Sequence, residues 1–282
     1  MDSTQAIQAF DARVESALNW LRDNAGFIFD AVRHGLEGFY NATNWLLTTP
    51  SLYVVVAIFV ALGIWLVSPR FGLLAGLGLL ACNVMGLWSV TMDTLALVIA
   101  ATVIGLAIAL PLGIWAGYHP KLDKLAEPLL DMLQTLPPYI YLLPAIALLG
   151  YGPATSLVAT VLVAIAPALR LSSLGIRMTP NEYIELGNAN GIAPVQMFFK
   201  IRLPFAVPSI MAGINQSLMM AFGMVVIAGI VGSGGLGQTI YEAIRTLDIA
   251  KSIDATIAIV ILTMVLDRLT QSAGTKKAGA AR

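Results

Sequence analysis

The chain has 282 residues, of which 58% are hydrophobic and only 11% are charged, and its formal net charge is zero. Soluble domains carry about 25% charged residues, so a mean hydropathy of +0.82 indicates a polytopic membrane protein. The single cysteine, Cys82, excludes an internal disulfide and a thiolate metal site, and no basic cluster points to nucleic acid.

Residues 1–50 lack the basic stretch followed by an apolar core that is typical of a signal peptide. Apolar residues such as Phe10, Val14 and Leu18 instead recur among charges at near-helical spacing. This pattern predicts one or two amphipathic helices that lie at the membrane interface. Acidic residues outnumber basic ones in this region, so we expect it to form an extracytoplasmic tail.

Seven apolar runs are long enough to cross the hydrocarbon core of a bilayer, which requires roughly 17 to 25 helical residues. They are residues 51–68, 71–90, 94–118, 128–149, 154–171, 207–231 and 253–269. The sequence therefore predicts an all-α membrane protein. Its predicted parts are the tail, two accessory spans at 51–90, a core at 94–271 and a short cytoplasmic tail at 272–282.

The distribution of Lys and Arg orients these spans. If the N-terminus lies outside, most of the 16 basic residues fall on the inner side, including Lys121, Lys200 and Lys276. Cytoplasmic loops are the ones enriched in Lys and Arg, so we predict an outer N-terminus and an inner C-terminus. The polar segment 179–204 then faces the cytoplasm.

The beginning of segment 179–204 has the signature of a helix N-terminus. Thr179 is a predicted N-cap, Pro180 suits the first helical position, and Glu182 would complete a capping box. Gly191 offers a residue with positive φ at which this helix ends.

A second short helix is predicted from Pro194, and Pro204 is expected to stop it from running straight on. Many residues of the pair are too apolar for a solvated loop, which predicts that the pair contacts another surface. These residues are Tyr183, Ile184, Val195, Met197, Phe198, Phe199 and Ile201.

The spacing in this segment resembles a known signature. Glu185-Leu186-Gly187, Gly191 and Ile201-Arg202-Leu203-Pro204 are similar to the E-A-A, x3, G, x9, I-x-L-P pattern of permease subunits in binding-protein-dependent ABC importers. Leu186 and Gly187 replace the two alanines that are usual in that family. An amphipathic loop on the membrane surface is the alternative interpretation of an isolated segment of this kind.

The resemblance implies that 179–204 is the cytoplasmic coupling helix, which binds a groove on the ATPase subunit. The residues that it assigns to this contact are Tyr183, Glu185, Gly191, Val195, Phe198, Leu203 and Pro204.

The predicted fourth span, 128–149, carries Asp131 and Gln134, and its interior holds three prolines that favour kinks, Pro137, Pro138 and Pro144. A carboxylate inside a membrane is costly and is a candidate for function, although a structural pairing with Lys124 or Lys121 is an equal alternative. The candidate residues of a translocation path are Asp131, Gln134, Tyr139, Tyr141 and Trp115.

Residues 232–237 read G-S-G-G-L-G and satisfy the dinucleotide pattern by letter. That fingerprint requires a preceding strand, whereas an apolar span precedes it here, so we interpret it as a close-packed turn. Importer permeases of the MetI-like fold carry a similar run at this place.

From about residue 94 to 271 the chain is similar to the branch of importers for glycine betaine, proline betaine and choline. The stretches that carry this resemblance are 129–135, 140–144, 171–176 and 266–271. It implies a homodimer in the bacterial inner membrane, two copies of an ATPase that hold ATP and Mg²⁺, and an extracytoplasmic substrate-binding protein. This subunit would hold no cofactor and would not be an enzyme by itself.

The apolar spans contain no buried Lys or Arg that could bind an anionic solute. A cationic or zwitterionic solute therefore agrees better with the sequence. Aromatic faces, which recognise quaternary ammonium groups, occur in or near the spans. The sequence leaves open whether the solute is a betaine, choline or an amino acid such as histidine. A secondary transporter and a membrane enzyme are the competing classes, but neither explains segment 179–204.

Overall fold

The computed structural model describes residues 3–280, with side chains for residue 8 and residues 11–274. Within residues 3–280 the regular structure is helical, without a strand. The α-helices are α1 (Ser3–Thr48), α2 (Leu52–Leu66), α3 (Pro69–Val84), α4 (Trp88–Tyr118), α5 (Pro120–Thr135), α6 (Tyr139–Leu149), α7 (Pro153–Arg177), α8 (Asn181–Ala189), α9 (Pro194–Met197), α10 (Leu203–Ala228), α11 (Gly235–Thr246) and α12 (Ile249–Ala280). A π-helical turn, Phe198–Arg202, joins α9 to α10, and a 3₁₀ turn, Gly229–Val231, follows α10.

Four helices of the described residues are long and apolar enough to cross a membrane: Trp88–Tyr118, Pro153–Arg177, Pro194–Val231 and Ile249–Gly274. Two bent pairs, α1 with α2 and α5 with α6, raise this count to six if each pair forms one span. Length and composition thus support four to six spans in the described part of the chain, where the sequence predicts seven.

The predicted fourth span is not one continuous helix, which corrects the sequence analysis. The chain turns by 95° between α5 and α6. Pro137 and Pro138 lie at this break, and Leu136 before them is extended, with φ −69° and ψ 137°. Two adjacent prolines remove two helical donors and disfavour helical geometry at the preceding residue, which explains the break.

The two accessory spans are shorter than predicted. The second ends at Val84 because Gly86, with φ +72°, turns the chain before α4 begins at Trp88. A Cβ added at Gly72 of α3 would lie 2.7 Å from the carbonyl oxygen of Val60 in α2. The pair therefore forms a close hairpin.

The N-terminal region forms a single helix, one of the two predicted possibilities, and its second half is attached to the core. Tyr40 of α1 is buried, and the Asn44 amide donates a hydrogen bond of 2.6 Å to the Asp93 carboxylate at the start of α4. This part of the tail is thus fixed by contacts with protein.

Helix α7 lies between α4 and α10, and glycines allow both contacts. A Cβ at Gly113 of α4 would lie 2.6 Å from the carbonyl oxygen of Leu169 in α7. A Cβ at Gly213 of α10 would lie 3.2 Å from the Cα of Ala168. Lipid provides no hydrophobic driving force between helices, so small residues that let backbones approach are the usual basis of such packing.

Contacts between helix ends define two sides of the molecule. We call the side near α8 the α8 end; here the guanidinium of Arg202 lies 4.5 Å from the ring centroid of Tyr118, at the end of α4. We call the side near α11 the α11 end; here the backbone N–H of Leu236 donates to the hydroxyl of Thr94, near the start of α4, at 2.7 Å.

Candidate functional site

The helix pair predicted in segment 179–204 exists, but its start differs from the prediction. Helix α8 begins at Asn181 without a side-chain cap, so the predicted capping box from Thr179 to Glu182 is wrong. The buried Thr179 hydroxyl instead donates a hydrogen bond of 3.0 Å to the carbonyl oxygen of Ile176. It satisfies one of the free carbonyls at the end of α7 and therefore belongs to that helix terminus.

Gly191 forms the turn between α8 and α9 with φ +66°, as the sequence predicts. Its N–H donates to the carbonyl of Asn188 at 3.0 Å, and the N–H of Ile192 donates to that of Gly187 at 3.0 Å. No atom lies within 4 Å of a Cβ built on Gly191. The constraint at this residue is consequently its backbone conformation and not lack of space.

Pro204 does not end the second helix, which is a further correction. Residues Pro194–Val231 run on as one helical segment. The N–H of Leu203 bonds the carbonyl of Phe198, five residues back, in the π-helical turn. A proline ring clashes with the carbonyl four residues before it, and the wider π turn accommodates the ring without interrupting the segment.

Gly187 is where the two short helices touch. A Cβ there would lie 2.6 Å from Cε of Met197 and 3.0 Å from Cδ1 of Ile201. Met197 is buried against it, whereas the neighbouring Leu186 points outward with 61% of its surface exposed. Gly187, which stands where the family usually has an alanine, thus makes room for Met197 between the two short helices.

Four large side chains of the pair are exposed together with Glu185. We call these four the hairpin surface: Tyr183 (48% exposed), Leu186 (61%), Val195 (67%) and Phe199 (60%). Sequence reasoning missed Leu186 and did not assign Phe199 to the site, although it noted that the segment is too apolar for a solvated loop.

The remaining predicted contact residues have supporting positions. Phe198 and Leu203 are partly buried and pack on a cluster that contains Ile176 and Ile210. Pro204 lies in the first turn of α10. These residues hold the hairpin surface in place and expose less area themselves.

Two basic residues lie at the base of the hairpin and contact core helices, which sequence reasoning did not find. Arg177, the last residue of α7, forms a 2.5 Å ion pair with Asp123 of α5, and the Ser173 hydroxyl donates to the same carboxylate at 2.6 Å. Arg202 lies over the ring of Tyr118. The hairpin thus contacts the end of α4 through Arg202, and it follows directly on the end of α7, which Arg177 ties to α5.

Asp131, a candidate of the translocation path, pairs with Arg170 of α7 at 2.6 Å. Arg170 also donates to the side-chain oxygen of Gln134 at 3.3 Å. The structure gives Asp131 this partner and not Lys121 or Lys124. Both side chains of the ion pair are about half exposed, so it contributes at most about 1 kcal/mol.

The three aromatic candidates lie in different settings. The Tyr141 hydroxyl donates to the carbonyl of Leu133 at 2.9 Å and so ties α6 to α5 across the bend. Tyr139 is exposed at the start of α6. Trp115 is exposed near the end of α4, with its ring centroid 6.0 Å from that of His119.

The run at 232–237 is a close-packed turn, as predicted. Gly232, Gly234 and Gly235 all have positive φ, between 74° and 77°. A 3₁₀ turn precedes them, and no strand does within the described residues. The dinucleotide interpretation thus has no structural basis.

Comparisons with known proteins identify the family. Residues 109–273 match the family described as "Binding-protein-dependent transport system inner membrane component". The chain is 38% identical to the glycine betaine transport system permease protein OpuAB of Bacillus subtilis, over 94% of each chain. It is 40% identical to the glycine betaine/proline betaine transport system permease protein ProW of Escherichia coli, over 94% of this chain and 75% of that one.

The fold matches a solved transporter. An inward-facing structure of the MetNI methionine ABC transporter superposes with a TM-score of 0.57 and 24% identity, covering 70% of this chain and 96% of that one. This likeness concerns the fold alone. The chain therefore belongs to the binding-protein-dependent transport system inner membrane components and is a permease subunit of an ABC importer with the MetI-like fold.

Proposed function

We propose that this subunit forms the translocation path for a betaine-like osmolyte, a quaternary ammonium or zwitterionic solute such as glycine betaine, proline betaine or choline. The observation that carries this proposal is the identity of 38% and 40% to two permeases named for glycine betaine, over nearly the whole chain. The exposed rings of Trp115 and Tyr139 are of the kind that attracts a quaternary ammonium group.

We infer that the hairpin surface binds the ATPase subunit and transmits its movements. An apolar helix face that fits a groove is a recurrent mode of recognition. The contact of Arg202 with Tyr118 then links the hairpin to the end of α4. The functional unit consists of two copies of this chain, two copies of the ATPase with ATP and Mg²⁺, and an extracytoplasmic binding protein. ATP hydrolysis takes place on the partner.

We further propose that the N-terminus is extracytoplasmic and the C-terminus cytoplasmic in the bacterial inner membrane. Contacts within the structure support the placement of the two termini on opposite sides of the membrane, and this argument does not depend on the number of spans. Helix α1 is attached at the α11 end through Asn44 and Asp93. Gly274 of α12 lies against Met211 in the first part of α10, toward the α8 end. The excess of Lys and Arg in the loops assigns the α8 end to the cytoplasm.

Cysteine labelling in intact spheroplasts tests this orientation. A cysteine placed at Ser16 should react with an impermeant maleimide, because α1 lies outside. A cysteine at Ala278 should react only after the membrane is opened. The reverse pattern would contradict the proposed orientation.

Reconstitution tests the function itself. Liposomes that contain this subunit and its ATPase, supplied with the binding protein and internal ATP, should accumulate glycine betaine and not histidine. The purified subunit alone should not hydrolyse ATP. Uptake of histidine without glycine betaine, or hydrolysis by the subunit free of ATPase, would refute the proposal.

A further inference from the structure

Two cavities meet where α1 crosses α6 and α7. The first, of about 400 Å³, is almost purely apolar and is lined by Ile28 and Val32 of α1, Ile140 and Pro144 of α6, and Val158 and Leu162 of α7. The second, of about 420 Å³, contains the charged side chains of Arg22, Asp30 and Arg33. Phe29, Leu148 and Leu149 line both cavities, so the two are adjacent.

The polar cavity lies at the turn between α6 and α7. The guanidinium of Arg33 is 3.3 Å from a Cβ built on Gly150, and its Nε is 2.9 Å from a carboxylate oxygen of Glu37. Arg22 also lines this cavity. It is exposed and precedes Arg33 by about three helical turns on α1. Two guanidiniums that line one cavity offer donors for a phosphate.

The apolar cavity leads away from this turn along the membrane-facing helices. From Leu149 back to Ile140, α6 covers about 14 Å at 1.5 Å per residue. Val158 and Leu162 follow the same direction along α7, beginning from Pro153. A charged opening at the turn and an apolar groove that descends from it reproduce the order of polar head and acyl chain in a membrane lipid.

We propose that this composite cavity binds one glycerophospholipid, with its phosphate on Arg22 and Arg33 and one acyl chain in the groove. Asp30 supplies a carboxylate in the same pocket, and Glu37 adjoins it through Arg33. The pocket therefore offers charges of both signs, which matches a headgroup that carries a phosphate and an amine. The chemical class is that of phosphatidylethanolamine. The lipid would hold α1 against α6 and α7.

Native mass spectrometry of the assembled transporter with added phosphatidylethanolamine tests the headgroup contact. Arg22→Gln should lower lipid affinity at least about tenfold, since it removes a charge-assisted contact. Arg13→Gln, on the exposed part of the same helix outside the cavity, is the matched control and should leave affinity unchanged. Dioleoylglycerol, which lacks the phosphate, should bind weakly to all variants. Equal binding of the two lipids would overturn the proposal.

A phosphatidylethanolamine with a photoreactive acyl chain tests the groove. It should label peptides of α6 and α7 around Ile140–Leu149 and Val158–Leu162. Val158→Trp, which fills the groove, should abolish this labelling, while Ile257→Trp on the exposed side of α12 should not. Soluble phosphoethanolamine in equal concentration should not displace the lipid. Displacement by it, or labelling that survives Val158→Trp, would show that the cavity is not a lipid site.

Discussion

A Gly191→Val subunit should insert into the membrane at normal levels yet lose most of its ATP-driven uptake of glycine betaine. Gly191 has φ +66°, which disfavours a residue with a Cβ by about 1–2 kcal/mol, and a β-branched residue more. The valine would turn the backbone out of this region and change the angle between α8 and α9. Uptake by membrane vesicles should fall roughly 5- to 30-fold.

Gly191→Asn is the matched control for this variant. Asparagine tolerates positive φ, and the space around a Cβ at this position is open. Its uptake should therefore remain close to that of the wild type. Equal loss in both variants would mean that the side chain, and not the conformation of the turn, is what matters.

Gly229→Ala should strongly destabilise the subunit. A Cβ at Gly229 would lie 2.2 Å from the carbonyl carbon of Gly237 and 2.3 Å from the backbone nitrogen of Gln238. Backbone atoms cannot rotate away as a side chain does, so we expect a cost of about 3 kcal/mol or more. The melting temperature of the detergent-purified protein should fall by roughly 5 °C or more, or the protein should not accumulate.

Gly223→Ala provides the comparison within the same helical segment, Pro194–Val231. No atom lies within 4 Å of a Cβ at Gly223, and alanine is favoured over glycine in a helix interior by roughly 0.5–1 kcal/mol. This variant should melt at the wild-type temperature or slightly above it. A Gly229→Ala protein as stable as Gly223→Ala would contradict the close approach of the 3₁₀ turn to α11.

The features that the sequence could predict are those set by local chemistry. Gly191 was recognisable because glycine adopts positive φ at helix ends without strain. The long apolar helices followed from hydropathy, and the MetI-like fold from the spaced motif in 179–204. The exposed character of Tyr183 and Val195 followed from apolar residues in a polar segment.

The features that it could not predict depend on partners distant in sequence. The hydroxyl of Thr179 suits either a helix start or a helix end, and only its proximity to Ile176 decided the outcome. Asp131 had nearer cations along the chain than Arg170, which α7 brings to it. Prolines indicate a kink but do not give its size, so the 95° turn between α5 and α6 was not foreseen.

Co-purification of the ATPase with this subunit, measured together with solute-stimulated ATP hydrolysis, tests the coupling role of the hairpin surface most directly. We expect Gly191→Asn to retain the ATPase and its stimulation, and Gly191→Val to lose both while its membrane level is unchanged. Wild-type retention and stimulation in Gly191→Val would contradict the assignment of segment 179–204 as the contact through which the ATPase drives transport.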